Sequence, residues 1–224
     1  MNSLLGLPDR TELNKEIGKR ITKEKFYSKL DLETTDERMF IDEISSIHWM
    51  NKISPDSMNI DIGDGIEEIE VFKIFLKRKN VKNKFLRMID ESIEHPILFV
   101  LMKDDECSLC IAYKEKKVTG GAKVIDYYST EWLPCNCITI QFSGLSTGEI
   151  YQSLITQISG GRLKANSNGN DFVGVVLRDI EYQNDLKSIT RLEDQIKKTT
   201  QPNKKLELVH QVREIKKKWG EENG

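Results

Sequence analysis

The stretch from Pro96 to Leu133 constrains the fold most, because it reads as three strands joined by tight reversals. Ile97–Met102 is a continuous apolar run, and Asp104 and Asp105 turn the chain. Cys107–Lys114 makes a second run. Gly120 and Gly121 supply the next reversal, and Ala122–Ser129 makes a third strand that ends in the aromatic and acidic segment Tyr127–Trp132. Neighbouring strands need a sheet, and a sheet needs helices or a second sheet to cover it.

The flanking segments supply both. Before Pro96, Val81, Phe85, Met88, Ile89 and Ile93 recur at spacings of three and four, which predicts a helix over 80–94 that Pro96 terminates. Residues 66–77 precede it as a strand. Ile69, Val71, Lys73 and Phe75 fall on one side, and Glu68, Glu70, Phe72, Ile74 and Leu76 on the other. A helix between two strands suits a crossover packed on a sheet. Gly63 and Gly65 reverse the chain ahead of that strand. Arg38–Ile53 fits helix or strand, with a strand favoured in its second half because Ser54-Pro55-Asp56 ends it. Thr11–Lys19 has the spacing of two helical turns, and Phe26, Tyr27 and Leu30 suggest a short apolar contact.

Beyond Leu133 a short strand is expected over Ile138–Phe142. Ser146 and Glu149 form a capping box for a helix carrying Ile150, Tyr151, Leu154, Ile155 and Ile158, which Gly160 and Gly161 close. Residues 162–171 are polar loop, and Phe172–Ile180 fits either strand or helix. Ile189, Leu192 and Ile196 form one seam and Leu208, Val212, Ile215 and Trp219 another, parted at Gln201-Pro202-Asn203. That is an αα-hairpin. The expected fold is α/β, or α+β, with a mixed sheet, helices packed on it and this hairpin at the end. The expected division is a core over 1–160, a polar connector over 161–182 and the hairpin over 183–224.

Composition excludes more than it selects. The 224 residues are 38% hydrophobic and 31% charged, which suits a folded soluble chain. A net charge of −2 makes no global case for nucleic acid or a membrane. The longest apolar run is far short of the roughly 20 residues that cross a bilayer. The start lacks the pattern of a signal peptide, so a cytoplasmic location with reduced cysteines is expected.

Three constellations could carry chemistry. Cys107, Cys110, Cys135 and Cys137 form two close pairs of the kind that bind zinc, but on a regular strand Cys107 and Cys110 point to opposite faces. Buried free thiols are the plainer reading. Glu68 and Glu70 share a strand face, and Lys114 on another strand could complete the carboxylate–lysine set of a metal-dependent nuclease. Lys73 faces away from Glu70, and a solvated strand edge explains the carboxylates as well. A divalent metal enters only under this reading, and no other cofactor is expected. Between Gln195 and Lys218 the tail carries Lys197, Lys198, Lys204, Lys205, Arg213 and Lys216–Lys218, against Glu207 and Glu214. Such a face could follow phosphates as a DNA clamp, or flank an apolar seam that contacts a protein, which is preferred.

The segments Asn14–Lys19 (NKEIGK), Glu67–Phe72 (EEIEVF), Tyr127–Trp132 (YYSTEW) and Gln201–Glu207 (QPNKKLE) together resemble a bacterial family known as domain of unknown function 4391. The resemblance spans nearly the whole chain and brings no assigned chemistry. It implies a place beside helicases and DNA methyltransferases in restriction-like defence loci. With no catalytic motif in view, the expectation is a non-enzymatic accessory subunit that contacts such a protein partner, and possibly DNA, but no membrane. Its contact residues would be Glu131, Trp132, Lys204, Lys205, Glu207 and Trp219.

Overall fold

The structure, a computed structural model, describes residues 5–13, 19–25, 34–79, 83–116, 121–163 and 171–220. The chain divides into two compact units, Met1–Arg162 and Leu163–Gly224.

The first unit is built on a mixed sheet of seven strands: β1 (Lys19–Ile21), β2 (Ile44–Ile53), β3 (Ile69–Leu76), β4 (Ile97–Lys103), β5 (Glu106–Lys116), β6 (Ala122–Ser129) and β7 (Leu133–Pro134). The first six lie in chain order across the sheet, and β7 pairs with the start of β5. Every pair is antiparallel except β3 and β4. Between those two runs helix α3 (Asn83–Ser92), the connection a parallel pair requires. The expected helix over 80–94 is therefore present from Asn83, with 80–82 outside the described residues.

Helix α1 (Thr34–Glu43) precedes β2 and resolves the ambiguous segment as helix first, strand second. The one-turn helix α2 (Pro55–Met58) ends β2, capped by Ser54. Phe40 of α1 and Phe85, Leu86, Met88 and Ile89 of α3 share a core with Phe72, Ile74, Phe99, Leu101, Cys110, Ala112 and Tyr127. Each large side chain taken fully out of water there contributes about 1.5–3 kcal/mol. The alternate strand residues Val71, Leu98, Val100, Leu109 and Ile111 are buried too, so both faces of the sheet are covered. Helix α4 (Thr147–Ile158) lies against β5 and β6. Its start follows the expected capping box in part: Ser146 accepts from the Glu149 amide, whereas Glu149 reaches the Leu145 amide. Gly160 and Gly161 both take positive φ just past its end.

Two sequence expectations fail in this unit. Residues 138–142 form no strand; Gln157 of α4 accepts from the Gln141 amide and donates to its carbonyl, satisfying backbone that a strand neighbour would otherwise pair. At the N-terminus, a 3-10 turn (Asp9–Thr11) replaces the start of the expected helix, Glu12 bridges to Asn51, and Lys19 already belongs to β1. Residues 14–18, Phe26, Tyr27, Leu30 and Gly120 lie outside the described residues.

The second unit is the αα-hairpin: α5 (Phe172–Lys198) and α6 (Pro202–Lys218). Asp171 caps α5, accepting from the Gly174 amide at 2.9 Å. The helix therefore begins well before residue 183 and takes in 172–182, where the sequence leads one to expect a polar connector. Ile189, Leu208 and Val212 are buried along the seam. Tyr182 meets Trp219 edge-on at 5.0 Å, and the Trp219 indole donates to Asp185 at 2.8 Å. Among the described residues, no helix is long and apolar enough to cross a membrane.

Candidate functional site

A group of ionisable side chains gathers at the edge of the core where β2 ends and β3 and β4 begin. Lys52 stands opposite Glu70 in the β2–β3 ladder, and Trp49 opposite Phe72. Residues 49 and 52 would face opposite sides of a regular strand. A bulge between Trp49 and Asn51 shifts the register by one, so both side chains share the face of Glu70. Trp49 Nε1 donates to Glu70 Oε2, and Lys52 Nζ pairs with Glu68 Oε2. His95, where α3 gives way to β4, places Nε2 3.2 Å from Glu68 Oε1.

Glu68 and Glu70 are hydrogen-bonded to each other. Burial, then the bond and charge of Glu68, push the Glu70 carboxyl up to about 8. Burial also works against the charge on Glu68, but Lys52, the Glu70 bond and His95 outweigh it and hold that carboxyl below its ordinary value. At neutral pH the pair is one protonated and one ionised carboxyl sharing a proton. Such a pair titrates as a unit and can donate and accept at adjacent oxygens. Glu70 is 3% exposed, while the Lys52 and His95 side chains are 39% and 28% exposed and give the cluster its surface side.

Lys114 is committed elsewhere. Its ammonium donates to the carbonyls of Asp90, Ile93 and His95 at 2.8–3.0 Å and lies 2.9 Å from Asp90 Oδ1. It thus closes the C-terminal end of α3, where orphan carbonyls and the helix dipole favour a cation. Tyr127 donates to the other Asp90 oxygen at 2.6 Å. Tyr151 of α4 accepts from the Lys114 amide and donates to Ala112 O. Burial pushes the Asp90 carboxyl up and the Lys114 amine down, each partly countered by the other. Of the three residues considered for nuclease chemistry, then, Glu68 and Glu70 are joined, and the lysine that meets them is Lys52.

The four cysteines do not form one group. Cys110 is in the core beside Ala112, Cys107 faces the other side of the sheet, and Cys137 is exposed. Burial first, then the neighbouring Cys135 thiol, pushes the Cys107 thiol up to about 12. Among the described residues, no three His, Cys, Asp or Glu side chains are grouped to hold a metal ion.

Of the residues assigned to partner contact, Glu131 is exposed and Trp132 packs partly against the core, with Lys79 Nζ 5.7 Å over its ring. Lys204, Lys205 and Glu207 are exposed on the first turns of α6. Trp219 helps line an open cleft of about 450 Å³ with Gly174, Leu177, Arg178, Glu181 and Lys218. Lys218 is neutralised by Glu181 and Asp185 at 2.6 and 2.7 Å, whereas Arg178 lies 5.8 Å over the Trp219 ring. Sequence reading missed Trp49, Lys52 and His95; the signal for the first two was a bulge, which leaves no mark in residue spacing.

The family model described as a domain of unknown function, DUF4391, matches residues 5–218. No curated protein and no solved structure matches the chain. Because the match runs through both units from near the first described residue to the end of α6, the chain belongs to the DUF4391 family.

Proposed function

We propose that the chain is a non-enzymatic accessory subunit that docks a protein partner through its C-terminal hairpin, within a bacterial DNA-processing or defence system. The observation that carries this reading is the cleft beside Trp219. Leu177, 46% exposed, lines it beside an aromatic ring and an arginine, and Val173, 49% exposed, lies one turn earlier on α5. Aromatic and arginine anchors beside exposed aliphatic groups are what partner-binding surfaces use. Lys204 and Lys205 give the same hairpin a basic tip that suits DNA as an additional contact, and a cytoplasmic setting accords with both. A helicase or DNA methyltransferase encoded nearby is the expected partner. The test is co-purification of the tagged chain with its gene neighbours. Capture that Leu177→Asp and Trp219→Ala abolish supports the reading; a chain that captures neither enzyme sinks it.

A second reading, a metal-dependent nuclease, draws on the Glu68–Glu70 pair with Lys52 as its cation. Divalent-metal-dependent DNA cleavage that Glu68→Gln removes would establish it and displace the first.

A further inference from the structure

We propose that Met102, Cys107 and Cys135 form a binding site for a soft monovalent metal ion such as Cu(I). Three segments bring three sulfurs together. Met102 at the end of β4 and Cys107 at the start of β5 are register partners on the same sheet face. Cys107 is also the partner of Leu133 in β7, and two residues later the 3-10 turn Cys135–Cys137 brings Cys135 back over that face. Cys135 donates its thiol to Met102 Sδ at 4.0 Å, and it neighbours Cys107 closely enough to perturb that thiol.

The spacing suits a bridging ion. Metal–sulfur bonds of about 2.3 Å spread at 120° place sulfurs about 4 Å apart. Two thiols and a thioether are a donor set that selects Cu(I) and disfavours hard cations such as Mg²⁺ or Ca²⁺. Accessibility and charge fit as well. Cys107 is fully buried, but Met102 and Cys135 are partly exposed and open a path to it. Lys73 lies on the same face of the sheet, opposite Val100. Two thiolates and one monovalent cation leave a single negative charge, which that lysine offsets. Cys110 and Cys137 take no part: one lies in the opposite core, and the other is exposed with its thiol against Asn136.

The test is anaerobic titration of the reduced full-length protein with Cu(I) against a chromophoric Cu(I) chelator. The expected result is one equivalent withdrawn from the chelator. Cys135→Ser should weaken uptake by about 100-fold and Met102→Leu by about 10-fold, with Cys137→Ser unchanged. Because Cys135 and Met102 are only partly buried, these variants keep the test valid if Cys107→Ser fails to fold; circular dichroism confirms that each is native. No uptake, uptake that survives Cys135→Ser and Met102→Leu, or uptake lost in Cys137→Ser overturns the proposal.

Discussion

At neutral pH Glu70 holds a proton that an exposed glutamate would have lost, and this makes the fold's stability depend on pH. With its carboxyl pushed up to about 8, the native state binds more protons than the unfolded chain from the ordinary glutamate range up to pH 8. The slope of unfolding free energy with pH is therefore negative in that window. The contribution is full below the ordinary value and is lost as pH rises through 8. Glu68 is depressed instead, so its contribution is lost on the acid side and does not overlap. Glu70→Gln keeps a donor for Glu68 and an acceptor for Trp49 but cannot ionise. Its melting temperature should stay flat between pH 5 and 9, in about the range where the wild type declines; parallel declines in both proteins would refute the shared proton. Lys114 makes a different prediction. Lys114→Met leaves Asp90 buried without its cation and the end of α3 uncapped, and should cost about 3–5 kcal/mol in urea unfolding. Adding Asp90→Asn should recover part of that loss, because the stranded charge is then removed.

The loop ahead of β3 and the start of α4 are fitted together by two glycines. Asp64 and Gly65 both take positive φ, and the Ile66 amide closes the turn on Gly63 O at 2.9 Å. Positive φ at both central residues is the pattern of a type I′ turn. Thr147, fully buried, accepts from the Gly63 amide and donates to Ile66 O, while Asp61 pairs with Ser146. A Cβ on Gly63 would stand 2.4 Å from Ser146 Oγ, and one on Gly148 would stand 2.8 Å from the Gly63 backbone carbon. Helix propensity alone favours Gly148→Ala by about 1 kcal/mol. The clash with backbone should reverse that sign, so both alanine variants are expected to lose about 1–3 kcal/mol in denaturant unfolding. A stabilised Gly148→Ala would show that the loop yields. Sequence reading recovers these elements unevenly, for physical reasons. Helix α3 was legible because one buried face imposes a period of 3.6, and strands β3–β6 because short apolar runs end at turn residues. The cap at Ser146 was legible because its hydrogen bond is local. The bulge that turns Trp49 and Lys52 onto Glu70 was not, and neither was the meeting of Cys107 with Cys135, which depends on β7 pairing with β5. Ile138–Phe142 misled because its backbone is satisfied by a glutamine side chain. In the tail, Phe172–Ile180 lacks a clean period, and the start of α5 depends on a cap at Asp171 that spacing does not single out.

At the scale of the whole molecule, the two units divide the work of folding from the proposed work of docking. The core cluster runs from Phe40 to Tyr127, with Ile21 and Trp132 at its margins, and every member belongs to the first unit. The acid pair, the Asp90–Lys114 network and the three-sulfur group lie there as well. The hairpin holds itself with its own seam and with ion pairs between its helices: Lys216 to Glu193, and Lys218 to Glu181 and Asp185. These pairs are largely exposed, so each adds little and weakens with salt. A chain ending at Arg162 is therefore expected to keep one cooperative urea transition, with the pH dependence set by Glu70 intact. The same chain should fail to capture the partner enzyme that the full-length protein captures. If it loses the cooperative transition, the hairpin is part of the folding unit. If it folds and still captures the partner, docking belongs to the sheet unit, where Glu131 and the surface side of Lys52 and His95 become the residues to vary next.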